Sequence, residues 1–366
     1  MKVNYVPIFL GFLLISMVLV LGITPTRVES TELISSGAKS SDDSKKNLIP
    51  AAVEGSVPIN ENAVVSASQP LSPILLKMKA GLLLLDRENN ATLDLVTDSF
   101  SPGGTNFVNA KNLNLKFEPG LDASLRAILH ILGTTLGAEV RYFGIREWSE
   151  SHGPVLLPAN NLVVMKHQSP IAFLSTGETT VLAKYESGLH NAEFNLSWYP
   201  KERIRIFIGA RYIRLDEDLR ISHESFGTTV MDKVSAKNDL LGGQLGIEGV
   251  FFGKPDGGFS IDGLVKVGYF NNDISTKARF PLPGIGFLSA RSSKDKNTLA
   301  GEFGIGVSYA FCRNIALSTR YQLLWLNNVA LAPEQWHVTN YATGRISTAT
   351  DSVFYQGGWV GVIISW

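Results

Sequence analysis

From Leu75 to the last residue the chain breaks into ten segments of alternating apolar and polar residues, and the connections between them are alternately short and long. The segments run over about 76–86, 113–127, 134–147, 184–198, 203–216, 238–252, 258–271, 297–311, 315–327 and 353–366. Each has at least the length that a tilted membrane strand needs, roughly 9 to 11 residues. Short connections fall at His130–Gly133, Tyr199–Glu202, Gly253–Gly257 and Cys312–Asn314; long ones at Ser149–Ala183, Glu217–Lys237, Asn272–Lys296 and Asn328–Ser352, with another after the first segment. An even number of strands puts both chain ends on one side, and all the short turns fall on that same side. A soluble sandwich has no reason to keep that parity, whereas an up-and-down barrel in an outer membrane has periplasmic termini, short periplasmic turns and long outer loops. The expectation is an all-β fold: a transmembrane antiparallel up-and-down barrel of about ten strands over residues 75–366, its termini periplasmic.

The residues within the segments agree. Ile204, Ile206, Ile208, Ala210 and Tyr212 form one file, and Arg205, Gly209 and Arg211 the other. Leu136, Ala138, Val140 and Tyr142 oppose Glu139 and Arg141 in the same way. A greasy file facing lipid and a charged file facing a lumen is the membrane-barrel pattern. Trp198, Tyr199, Phe251, Phe252, Phe259, Tyr309, Phe311 and Trp366 gather at one set of segment ends, and Trp148, Tyr212, Tyr269, Phe270 and Trp325 at the other, as two aromatic girdles would. The final strand carries Val362, Ile364 and Trp366 on its apolar file and ends on the aromatic, the expected signal to barrel-assembly machinery.

Ahead of the barrel, residues 1–30 hold Lys2, an apolar run from Pro7 to Ile23 and a polar exit, which reads as a signal peptide, with an uncleaved anchor as the alternative. Residues 31–74 are rich in Ser, Ala, Asn, Lys and Asp without periodicity, a flexible periplasmic linker or else a segment docking inside the barrel. Lys+Arg and Asp+Glu number 33 each, so net charge gives no pointer to nucleic acid. A single cysteine, Cys312, excludes an internal disulfide and a thiolate metal cluster. No cofactor is expected.

Inward files predict lumen-lining charges at Lys116, Glu118, Asp122, Arg126, Glu139, Arg141, Glu193, Arg205, Arg211, Glu248, Asp262, Lys266, Glu302 and Arg320, seven of each sign. Charges enclosed in a narrow lumen must be paired, because an isolated one costs several kcal/mol. They can act as an ion-paired filling or line a wet pore.

Five blocks carry a family likeness: L-G-A-E-V-R-Y-F-G-I-R-E-W, Y-E-S-G-L-H-N-A-E-F-N-L-S-W, G-A-R-Y-I-R-L-D-E-D-L, N-D-L-L-G-G-Q-L-G and R-Y-Q-L-L-W-L-N-N-V-A-L-A-P-E-Q. In this order they resemble β-barrel porin family seven, over about Leu75 to Trp366. The resemblance implies an outer-membrane barrel described as a porin and brings no catalytic residues. The function expected is a small-solute channel of low conductance in contact with outer-membrane lipid and not an enzyme. A structural or adhesive barrel with a filled lumen and partner-binding outer loops is the alternative. An outer-membrane protease is a third reading, for which His152, His167, His223 and His337 with Asp216, Glu217 and Asp218 supply materials but no uniting motif.

Overall fold

The computed structural model describes residues 74–366 apart from 89–91, 99–104, 160–161, 175–178, 226 and 255–256. The signal peptide expected over 1–30 and all but the last residue of the linker expected over 31–74 lie outside them. In chain order the elements are β1 (Leu75–Glu88), β2 (Asp94–Thr97), β3 (Asn106–Asn109), β4 (Glu118–Ile131), β5 (Thr134–Leu156), β6 (Leu162–Met165), β7 (Ile171–Leu174) and β8 (Thr180–Lys201). There follow β9 (Ile204–Ser225), β10 (Thr228–Lys254), β11 (Gly257–Leu282), β12 (Gly286–Ala310), β13 (Ile315–Val329), helix α1 (Ala332–His337), β14 (Thr339–Asn340), β15 (Arg345–Ile346) and β16 (Asp351–Ser365).

Ten of these strands close a barrel. β1, β4, β5, β8, β9, β10, β11, β12, β13 and β16 pair in that order, each antiparallel to the next, and β16 returns to β1. At the seam the Leu76 N–H donates to the Trp366 carbonyl at 2.9 Å and the Trp366 N–H to the Leu76 carbonyl at 3.0 Å, so the barrel closes up to the last residue. Val362 and Trp366 are exposed on the outer face, with Ile364 half-buried on the same file. The turn between β4 and β5 has two central residues, Leu132 and Gly133, at φ 50° and 79°. Positive φ at both positions gives the turn a twist that matches its flanking strands.

The wall is uneven in height. β1, β4, β13 and β16 hold 14 or 15 residues, whereas β5 and β8 to β12 hold 22 to 27. The segments expected as long loops at Glu217–Lys237 and Asn272–Lys296 are in fact strand: β9 and β10 stay paired to Ser225–Thr228, and β11 and β12 to Leu282–Gly286. The connection expected at Ser149–Ala183 continues β5 and β8 and adds β6 and β7; that expected at Asn328–Ser352 carries α1.

What changes along each tall strand is the side that is greasy. On β9, Ile208 and Tyr212 face outward and are exposed, while Arg205 and Arg211 are buried inside. Past Tyr212 the order inverts: Ile213, Leu215, Leu219 and Ile221 are buried inside, and Arg214, Asp216, Asp218 and Arg220 face outward. The same inversion follows Tyr142 on β5, where Phe143, Ile145 and Trp148 turn inward, and Tyr269 on β11, where Phe270, Ile274 and Ala278 do. Trp148 and Phe270 therefore belong to the interior and not to the aromatic girdle expected of them. The lower part of the wall faces lipid with apolar residues, and the upper part is built like a water-soluble protein.

That projecting part is full. β2, β3, β6 and β7 form a small sheet inside it, and Leu95, Val96, Val108, Val163 and Met165 from this sheet pack with Trp336 of α1 against wall residues such as Trp148, Val181, Leu219, Val234 and Ile274.

Candidate functional site

The lumen below this apolar core is where most of the charges expected from the sequence converge, and they form two stacked layers. Near the terminal rim, Glu248 of β10 is the hub. It accepts from Arg126 at 2.9 Å, Arg205 at 3.0 Å and Arg320 at 3.0 Å, and Lys79 stands 3.6 Å away. Glu139 bridges Arg126 at 2.6 Å and Arg205 at 3.0 Å, and Asp262 accepts from the same Arg320 nitrogen that meets Glu248. About one turn of side chains higher, Glu193 and Glu302 share Arg141, Arg211 and Lys266. Lys266 lies 2.9 Å from Glu193 and 3.2 Å from Glu302, Arg211 is 3.0 Å from Glu302, and Arg141 joins Asp122 at 2.7 Å and Glu302 at 2.9 Å.

Neutral groups complete the upper layer. Gln244 donates to Glu193 at 2.8 Å, and Arg211 donates to Asn191 at 2.6 Å. Rings cover the guanidinium faces: Phe207 lies 4.3 Å from Arg205, and Phe143 lies 4.7 Å from Arg141. Phe207 can lie flat across the wall because its neighbour is Gly246, where a Cβ would fall 2.2 Å from the ring. Phe143 thus caps the charged layers and begins the apolar core.

Twelve of the fourteen charges expected in the lumen take part. Lys116 does not: residues 113–117 run as an extended approach to β4 in which Leu113 and Leu115 are buried, which turns Lys116 to solvent. Glu118 stands at the start of β4, half-buried and paired with Leu85, above both layers. Lys79 was missed by the sequence reading, although Lys77, Lys79 and Gly81 alternate with Met78, Ala80 and Leu82 as an inward file should. The network then consists of seven cations (Lys79, Arg126, Arg141, Arg205, Arg211, Lys266, Arg320) and six carboxylates (Asp122, Glu139, Glu193, Glu248, Asp262, Glu302), a formal excess of one positive charge.

A cavity of about 40 Å³ lies among these side chains, lined by Lys79, Arg126, Glu139, Arg205, Glu248 and their neighbours. A water needs about 10 to 15 Å³ of such volume, so a few waters fit and a solute does not. Above, the plug is tied to the wall at specific points. Asn238 donates to the Ala330 carbonyl at 2.9 Å and accepts from the Ala330 N–H at 2.7 Å. Tyr341 donates to Asp232 at 2.8 Å, and His167 sits between Asp232 at 2.6 Å and the Trp336 carbonyl at 3.0 Å.

The loop histidines do not meet at an open rim. His167 is sealed in this core, His223 is stacked on Phe173 with ring centroids 4.5 Å apart, and His152 lies exposed beside Asn112 at 3.4 Å. Glu217 is buried inside the wall, while Asp216 and Asp218 face outward.

Solved structures match the chain at very low sequence identity. The outer membrane protease OmpT from Escherichia coli matches at 8% identity, with 82% of this chain and 99% of that chain covered and a TM-score of 0.43. A FadL homologue from Pseudomonas aeruginosa matches at 7% identity over 81% of this chain and 90% of that one, with a TM-score of 0.28. A mutant of the monoaromatic hydrocarbon channel TodX matches at 9% identity over 80% and 89%, with a TM-score of 0.29. No family model and no curated protein matches the chain.

Proposed function

We propose that this chain is a closed outer-membrane barrel, a structural anchor that holds a rigid, strand-built domain above the membrane, with its termini and short turns in the periplasm. It is a barrel of the type described for porin family seven, but one whose lumen is filled. The observation that carries the reading is the lumen itself: two layers of mutually paired charges cross it around a cavity of about 40 Å³, and an apolar core lies directly above them. About eight strands are just filled by their own side chains and 16 to 18 leave a channel, so ten strands lined by long Arg, Lys and Glu side chains sit on the filled side. Every charge of the two layers has a partner of opposite sign within 4 Å, which offsets the several kcal/mol that enclosing an ion costs. A low-conductance channel would need a continuous wet path, and the capping residues Phe143, Leu83 and Phe270 offer none.

Swelling of proteoliposomes in arabinose, the smallest common sugar probe, tests this. Swelling at the rate of protein-free liposomes is expected; fast swelling would make the chain a porin.

A further inference from the structure

On the outside of the wall, close to the terminal rim, β10, β11 and β12 enclose a groove of about 620 Å³. Its floor is Gly249 and Gly263, which pair across β10 and β11. Ile247 and Ile305, both exposed to lipid, flank it. The β10–β11 register shifts between Val250 and Phe252, leaving Phe251 as an extra residue, and such a bulge bends the strand. The ring of Phe251 consequently folds over Gly263, where a Cβ would meet it at 2.5 Å. Gly249 is different: a Cβ there would find nothing nearer than the Arg203 carbonyl at 3.5 Å, so its position could carry a side chain and the groove is space left open. At the mouth stands the β8–β9 turn, with Lys201, Glu202 and Arg203 all exposed.

We infer that this groove holds one zwitterionic phospholipid of the periplasmic leaflet, an acyl chain lying on the Gly249–Gly263 floor and the headgroup at the Lys201–Arg203 turn. The inference rests on the membrane location and orientation proposed above. The volume falls within the roughly 300 to 1,000 Å³ of small-molecule sites, and the surroundings at this depth are acyl chains. The mouth carries both signs, as a zwitterionic headgroup does: Lys201 and Arg203 are cations for a phosphate, and Glu202 between them in sequence is a carboxylate for an ammonium. A lipopolysaccharide, with its phosphates in the other leaflet, would meet the far end of the wall instead.

Native mass spectrometry of the full-length protein, released from membranes in mild detergent and then delipidated, reads the occupancy. Wild type is expected to keep one phosphatidylethanolamine. Gly249→Leu, which fills the floor, is expected to lose it while keeping heat-modifiable migration, and Lys201→Ala with Arg203→Ala is expected to lower retention with the groove intact. Equal retention by wild type and Gly249→Leu would overturn the proposal, as would a retained species that is lipopolysaccharide or detergent. Fractionation of the same cells reports on location separately. A wild-type protein in the outer membrane without retained lipid overturns the groove alone, and one found elsewhere overturns both readings.

Discussion

Arg87 and Glu217 form an ion pair of 2.7 Å in which both side chains are sealed from solvent, joining β1 to β9 inside the barrel wall. The Tyr185 hydroxyl accepts from Arg87 at 2.6 Å and donates to Glu217 at 2.7 Å, and the Ala332 N–H at the start of α1 also donates to Glu217, at 2.8 Å. The pair therefore fastens the helix-bearing loop to the wall from within the apolar core, beyond Ile213 and Leu215 on β9 and Leu83 and Leu85 on β1.

Removing one partner of such a pair leaves a buried charge and costs about 3 to 5 kcal/mol, whereas replacing both with apolar residues of similar volume is often neutral. Glu217→Gln is thus expected to lower stability by about that amount, and Arg87→Met combined with Glu217→Leu by much less. Urea unfolding of the refolded protein in micelles provides the cycle. Equal losses for the single and the double variant would show that the pair does not fasten the loop as described.

The inversion of the greasy face on β9 predicts where lipid stops. Ile208 and Met231 are both exposed and apolar, but Ile208 lies midway between the β8–β9 turn and Tyr212, and Met231 pairs with Ser222 far beyond it. Ile208→Arg is expected to cost about 2 to 4 kcal/mol, as a cation near the bilayer midplane does. Met231→Arg, on a face that meets water, should stay within about 0.5 kcal/mol. Yields of folded protein in the membrane fraction check this; similar yields for the two would misplace the boundary.

The same inversion explains what the sequence disclosed and what it hid. The strand count, the parity of the turns and twelve of the lumen charges were legible, because Ile204 to Tyr212 and its counterparts alternate with the period and sign that lipid imposes. The extensions were not, because Ile213, Leu215, Leu219 and Ile221 carry an equally regular alternation on the opposite face, interrupted by Glu217 and flanked by Asp216, Asp218 and Arg220. Read with the lipid-facing sign, that stretch looks like a polar loop. The inner sheet was hidden for a second reason: β2, β3, β6 and β7 hold four residues each, too short for any period to show.

In the projecting domain, two histidines weaken the fold in acid. Burial beside Phe173 and Phe280 pushes the His223 imidazole below its ordinary range, with Asp232 opposing. Burial likewise pushes His337 down, helped by the neighbouring His167. A histidine with a depressed folded value is neutral in the fold, so its contribution is present above the ordinary value of about 6.5 and is lost as pH falls below it. Limited proteolysis of the projecting domain should accordingly speed up between about pH 7.5 and pH 5.5, and less so in His223→Phe. An unchanged rate across that range would remove these two groups from the account.

The central claim is that ten strands enclose no path. Planar-bilayer recording of the refolded wild-type protein, alongside Arg211→Ala, measures it directly. Arg211 contacts Glu302 and Asn191 in the upper layer, and Phe143 and the apolar core stand above it. Both proteins are therefore expected to insert and remain silent, with Arg211→Ala less stable than wild type. Steady current steps from the wild type would contradict a filled lumen and make the chain a channel.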